Sequence, residues 1–174
     1  EVNSSYLEQK RSIEKAKISK EIILSSYRTD YQLADKFIDS IVYYGEISNE
    51  KKYIAEGIKY LGIRQLRNSN YLQAIDLFNK SNSIFYSIND TLSPIKTFSN
   101  ISLCYFNLNQ IELAKKNYKL AILKTKRFDD NSLLLTKFNA RYNYAVFLYN
   151  IGSVNESAFY LEKALDVAKK MKDN

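Results

Sequence analysis

Apolar residues recur along this chain at intervals of three and four, the spacing that lines one face of an α-helix. Four stretches repeat the pattern in register. Each has a large apolar residue, a small one three positions later, a bulky one after four more, and a small or apolar one after a further three. The quartets are Tyr31, Ala34, Ile38 and Ile41; Tyr71, Ala74, Phe78 and Ser81; Ile111, Ala114, Tyr118 and Ala121; and Val154, Ser157, Leu161 and Ala164. The small residues stand 40, 40 and 43 positions apart. A small residue admits a neighbouring helix closely, and the bulky one fills the space a turn later.

Each of these helices (B) follows another apolar-periodic helix (A). The spacing predicts A helices over Ser4–Tyr27, Asn49–Leu66, Ser93–Phe106 and Asn131–Asn150. The A-to-B turns, Arg28–Asp30, Arg67–Asn70, Asn107–Gln110 and Ile151–Ser153, are short and polar, as an αα-hairpin requires. Gly45 suits a helix C-cap, Ser93 before Pro94 an N-cap with Pro at the first helical position, and Asp130 a further N-cap. The expectation is one all-α domain over 1–174, with repeats at 4–45, 49–88, 93–128 and 131–172.

Composition narrows the function. Four Gly and one Pro leave few sites for tight turns, which favours long helices over an all-β chain. No run nears the roughly 20 apolar residues of a membrane-spanning helix, and no signal peptide opens the chain. The compartment stays open: cytoplasmic, or periplasmic if a leader has been removed. A single cysteine, Cys104, and no histidine exclude an internal disulfide, a cysteine zinc site and every nucleophile that depends on histidine. With no glycine-rich phosphate loop either, the expectation is no enzyme, no catalytic residue, no cofactor and no metal.

The repeats carry a family resemblance. Phe98–Tyr105 (Phe-Ser-Asn-Ile-Ser-Leu-Cys-Tyr) and Arg141–Leu148 (Arg-Tyr-Asn-Tyr-Ala-Val-Phe-Leu) resemble the first-helix signature of tetratricopeptide (TPR) repeats. The second repeat keeps Leu61-Gly62 at the matching place, with Gln65 where an aromatic is usual, and the first has Glu21 where a Leu is usual. The period exceeds the usual length of about 34 residues. In that it is similar to the extended repeats of bacterial peptide-sensing regulators, and to TPR segments that precede histidine-kinase or transcription-factor modules.

The resemblance implies a right-handed α-α superhelix of about four helix pairs, with A helices lining a concave groove and B helices outside. It implies a scaffold that binds a protein or peptide in that groove. The alternative is a sensor or dimerisation segment of a bacterial signalling protein. The groove residues implied are Lys59 and Ile63 in the second repeat and Lys96, Asn100, Leu103 and Asn107 in the third, with Ser99 beside them. The fourth contributes Asn139, Tyr142, Asn143, Val146 and Tyr149. Asn100 and Asn143 share one repeat position. An amide there can donate and accept to a ligand backbone at once, or it can bond only the neighbouring helix.

Other features have plainer readings. Most of Phe78, Phe98, Tyr105, Tyr118 and Tyr144 fall at core positions of the repeat, and Cys104 reads as a small buried hydrophobe. The net charge is +7, and Lys115, Lys116, Lys119, Lys124, Lys126 and Arg127 make one B helix basic. An outward B helix of that kind is ordinarily a solvated face, so nucleic acid is not the expected partner. Asp129-Asp130 has no metal-ligand spacing and suits helix capping. The last helix presents Leu161, Leu165 and Ala168 with no capping helix after it, although a repeat array needs polar ends. The chain therefore reads as a fragment of a longer protein, or as one that self-associates through that helix.

Overall fold

The computed structural model describes residues 2–27, 29–128 and 133–172. Among the described residues there are eight helices and no strand. In chain order they are α1 (Val2–Ser26), α2 (Tyr31–Ile47), α3 (Lys51–Arg67), α4 (Tyr71–Ser87), α5 (Ser93–Asn107), α6 (Ile111–Thr125), α7 (Leu134–Asn150) and α8 (Val154–Lys172). Contacts divide the chain into two compact units, residues 1–91 and 92–174. In each unit the helices pack as consecutive pairs: α1 on α2 and α3 on α4, then α5 on α6 and α7 on α8. The second helix of each leading pair also packs on the next first helix, α2 on α3 and α6 on α7.

The repeat quartets explain this packing. Ala34, Ala74 and Ala114 are fully buried and Ser157 nearly so, which lets each B helix close on its A helix. Ser157 takes the place of alanine because its hydroxyl donates to the Ala145 carbonyl at 2.8 Å, across the α7–α8 contact. Ser81 does the same to Ala55 across α3–α4, also at 2.8 Å. Both pairings remove the cost of a buried, unbonded hydroxyl.

In the first unit Ala16, Ile23, Ile38, Ile41 and Tyr60 form the core. In the second, Ile95, Tyr118, Ile122, Tyr144, Phe147 and Leu148 do so. Of the aromatics placed at core positions by the sequence, Phe78, Tyr118 and Tyr144 are buried, while Phe98 and Tyr105 are half-buried against the second core. Cys104 is buried, and desolvation pushes its thiol up to about 11, consistent with an inert small hydrophobe.

The helix ends correct two expectations. Gly45 is not a C-cap. It lies inside α2 and is buried, and a Cβ there would stand 2.9 Å from the Ile54 backbone nitrogen of α3. It is glycine because two backbones approach there. The left-handed residue that ends α2 is Asn49, with φ 55°. The amide of Glu50 bonds the Gly45 carbonyl at 2.9 Å and that of Asn49 bonds Glu46 at 3.0 Å, the paired bonds of a Schellman end.

The same pair of bonds closes α3, α4, α5 and α7, with Ser69, Asn89, Asn109 and Gly152 in the left-handed region. Asn and Ser thus do in this chain what glycine does in most. Asp30 caps α2, its carboxylate accepting from the Leu33 amide at 2.9 Å. Ser93 is the first residue of α5 rather than its cap, with Pro94 following in the first turn. Arg28, the Asp129-Asp130 pair, the Asp130 cap and Asn131 lie outside the described residues.

Candidate functional site

The second unit holds a concave pocket of about 300 Å³ between α5 and α7. From α5 come Ser99, Asn100, Leu103 and Phe106, and from α7 Tyr142, Asn143, Val146 and Asn150. Spacings of one, four and seven or eight positions put each set on one helical face. The two faces correspond: Ser99 to Tyr142, Asn100 to Asn143 and Leu103 to Val146, each pair 43 residues apart in the chain. The repeat itself therefore builds the two walls from equivalent positions.

The floor is aromatic. Tyr118 and Phe147 line it from below, their ring centroids 5.1 Å apart, and Phe106 meets Phe147 edge-on at 5.6 Å. Tyr144 packs against Tyr118 at 5.8 Å, beneath the lining residues. Each such ring pair contributes about 0.5–1.5 kcal/mol beyond its buried area. Desolvation raises the Tyr118 phenol to about 12, so the floor carries no charge near neutral pH.

The walls are mixed. Leu103 and Val146 are each 40% exposed and Tyr142 is 44% exposed, an apolar lip above the floor. Among the described residues, the side-chain amides of Asn100 and Asn143 engage in no hydrogen bond within the chain. Two bifunctional amides thus open onto one pocket with their donors and acceptors uncommitted.

The residues nominated from sequence divide as follows. Asn100, Leu103, Tyr142, Asn143 and Val146 meet in the pocket, together with Ser99. Lys96, Asn107, Asn139 and Tyr149 are exposed on the same two helices but do not line it. The Asn107 amide instead donates to the Leu103 carbonyl at 2.7 Å. Ile63, in the first unit, is half-buried against that unit's core.

Lys59 does not reach an open surface, contrary to expectation. It is only 8% exposed and pairs with Glu56, with its ammonium 4.7 Å from the Tyr60 ring centroid. Lys20 of α1 pairs with the same carboxylate at 3.0 Å. Burial by itself would raise the Glu56 pKa, but Lys59 and Lys20 outweigh it and hold the carboxyl below its usual range. This triad ties α1 to α3 and is structural.

Phe106, Phe147 and Asn150 were missed from sequence as lining residues, and Tyr118 was read as core alone. For Phe106 and Asn150 the signal was available: Phe106 lies three residues after Leu103, and Asn150 seven after Asn143, on the faces already chosen.

Comparison with solved structures identifies the architecture. A single-substitution variant of a protein named for the kinesin light chain, from Podosopora anserina and built of nearly identical TPR-like repeats, superposes with a TM-score of 0.61. It is 10% identical, with 99% of this chain and 94% of that one covered. The protein without that substitution gives a TM-score of 0.59 at 11% identity, covering 99% and 95%. The fold is that of TPR-like repeats. At such identity the likeness concerns the TPR-like fold alone, which has room for many partners. No family model matches the sequence, and no curated protein matches it. Among the described residues no group of acidic residues or cysteine is placed to hold a metal, and no helix is long and apolar enough to cross a membrane.

Proposed function

We propose that this chain is a scaffold that binds an extended peptide or protein segment along α5 and α7. The reading is supported chiefly by Asn100 and Asn143, whose uncommitted amides open onto one pocket over an aromatic floor. An extended backbone offers alternating N–H and C=O groups that such amides can pair. An apolar side chain between them would enter the space bounded by Leu103, Val146 and Phe106. TPR-like scaffolds that act this way need no cofactor, and none enters the proposal.

Selection of a random peptide-display library on the full chain tests it. A class of peptides should be recovered whose binding weakens at least about tenfold in the Asn100→Ala/Asn143→Ala double variant, the loss of two hydrogen bonds. Equal binding by wild type and the double variant for every selected peptide would remove these residues as ligand contacts.

We further propose self-association through α8. Leu161 and Leu165 of that helix are 43% and 54% exposed, whereas the equivalents of Leu161 in the other repeats are buried.

A further inference from the structure

The second unit has a larger concavity of about 490 Å³ beside α6, closed on one side by Tyr160 of α8. Its wall is apolar, made by Leu120, Ile122 and Leu123, and Leu123 is 56% exposed. Its rim is cationic, made by Lys116, Lys119 and Lys126. These positions recur at three, four and three along α6 and its C-cap residue Lys126 (116, 119, 123, 126), so the rim and Leu123 share one helical face.

Among the described residues, the charges on this face are not balanced from within. Lys115, next along the helix, pairs with Glu156 of α8 at 3.2 Å, and Tyr144 donates to the other oxygen of that carboxylate, also at 3.2 Å. The carboxylate that α8 offers towards α6 is therefore taken. Lys163 of α8 faces Asp166 of its own helix at 3.8 Å. Among the described residues Lys116, Lys119 and Lys126 have no ion pair. Glu112, one turn before Lys116, is the acidic residue nearest in sequence on the same helix.

From this charge complementarity and shape we infer that the α6 groove docks an acidic amphipathic helix of a protein partner. The span from Lys116 to Lys126 is ten residues, about 15 Å at helical rise, enough to face roughly three turns of a bound helix. The partner's apolar residues at three- and four-residue spacing would enter over Leu123 and Tyr160. Its carboxylates would meet the three ammonium groups, in the helix-in-groove mode. A phosphate backbone has no use for the apolar wall, and a bilayer needs apolar side chains that stand proud of the charges, whereas here the lysines rim a concavity. The site is separate from the α5–α7 pocket: the two share no lining residue, although Tyr118 of α6 contributes to the floor of that pocket.

The test uses the same full chain and peptide-display selection, read on a different class. Selected peptides should include one class with Asp or Glu flanking apolar residues at helical spacing. Binding of a synthetic member should fall at least about tenfold in Lys116→Glu/Lys119→Glu/Lys126→Glu, from the loss of three charge pairs, and weaken with added salt. A Leu123→Ser variant, which leaves every charge in place, should weaken the same peptide. Asn100→Ala/Asn143→Ala should leave it unchanged, so that this site and the α5–α7 pocket fail or succeed independently. All the substituted residues here lie at the surface, and unchanged helical circular dichroism verifies folding. The proposal is overturned if no acidic-apolar class appears, or if its binding is indifferent to both sets of α6 substitutions. It is equally overturned if phosphatidylserine vesicles or a DNA duplex bind the groove in preference to every selected peptide.

Discussion

At the scale of the residue, the least expected arrangement is the ion triad of Lys20, Glu56 and Lys59. A buried carboxylate is costly alone, and here two ammonium groups compensate it, one of them stacked on aromatic rings. The pH dependence follows from the sign of the shift. The Glu56 pKa is lowered on folding from a reference of 4.5, so its contribution is fully present above that value and is lost as pH falls through the lower, folded one. Wild type is expected to keep its denaturation midpoint from neutral pH to about 5.5 and lose stability below 4.5. Glu56→Gln should be less stable at neutral pH by about 3–5 kcal/mol, because it removes the carboxylate that pairs with both Lys20 and the buried Lys59. The gap between the two proteins should narrow on acidification. Urea titrations at several pH values measure that gap, and a gap independent of pH would contradict the assignment.

At the scale of the element, much of the structure was legible because packing leaves a periodic trace. The helix pairs followed from Ala34, Ala74, Ala114 and Ser157, since a small residue at a helix contact recurs with the repeat. Six of the ten residues that line the α5–α7 pocket were legible for the same reason, as equivalent positions on equivalent helices. Lys59 was misplaced because its burial is set by tertiary packing: Glu56 stands three residues before it on the same helix, but only the fold brings Lys20 of α1 to that same carboxylate. Gly45 was misread because glycine serves both close backbone approach and left-handed turns, and sequence alone does not separate the two.

The helix ends carry a further prediction. Asn109 holds φ 57° at the close of α5, where the Gln110 amide bonds Tyr105 at 2.8 Å. Alanine there meets the left-handed penalty of about 1–2 kcal/mol, and glycine does not. Asn109→Ala should lower the urea midpoint with an unchanged slope, while Asn109→Gly should match or exceed wild type. Equal midpoints for the alanine variant and wild type would mean that the Schellman end is not held by this residue.

At the scale of the whole molecule, the question is what a repeat does with the apolar face of its last helix. Ile38, Phe78 and Tyr118 are at most 5% exposed, yet Leu161 at the same repeat position is 43% exposed. Val154, Ala158, Leu161 and Leu165 follow one another at four, three and four positions and are all exposed, which makes a continuous apolar strip on α8. For the self-association proposed above this strip would supply the contact, because stacking is how repeats bury their faces. A second copy can meet it in a self-complementary, two-fold arrangement, with each strip covering the other. Sedimentation equilibrium should then show a weight-average mass that rises with concentration above the 20.3 kDa of the single chain. Leu161→Glu/Leu165→Glu, which places two carboxylates in the centre of the strip, should restore 20.3 kDa at every concentration without loss of helix. Peptide binding at the α5–α7 pocket should be the same for this variant and wild type, since none of the strip residues lines that pocket. A wild-type chain that stays at 20.3 kDa throughout would exclude self-association through α8.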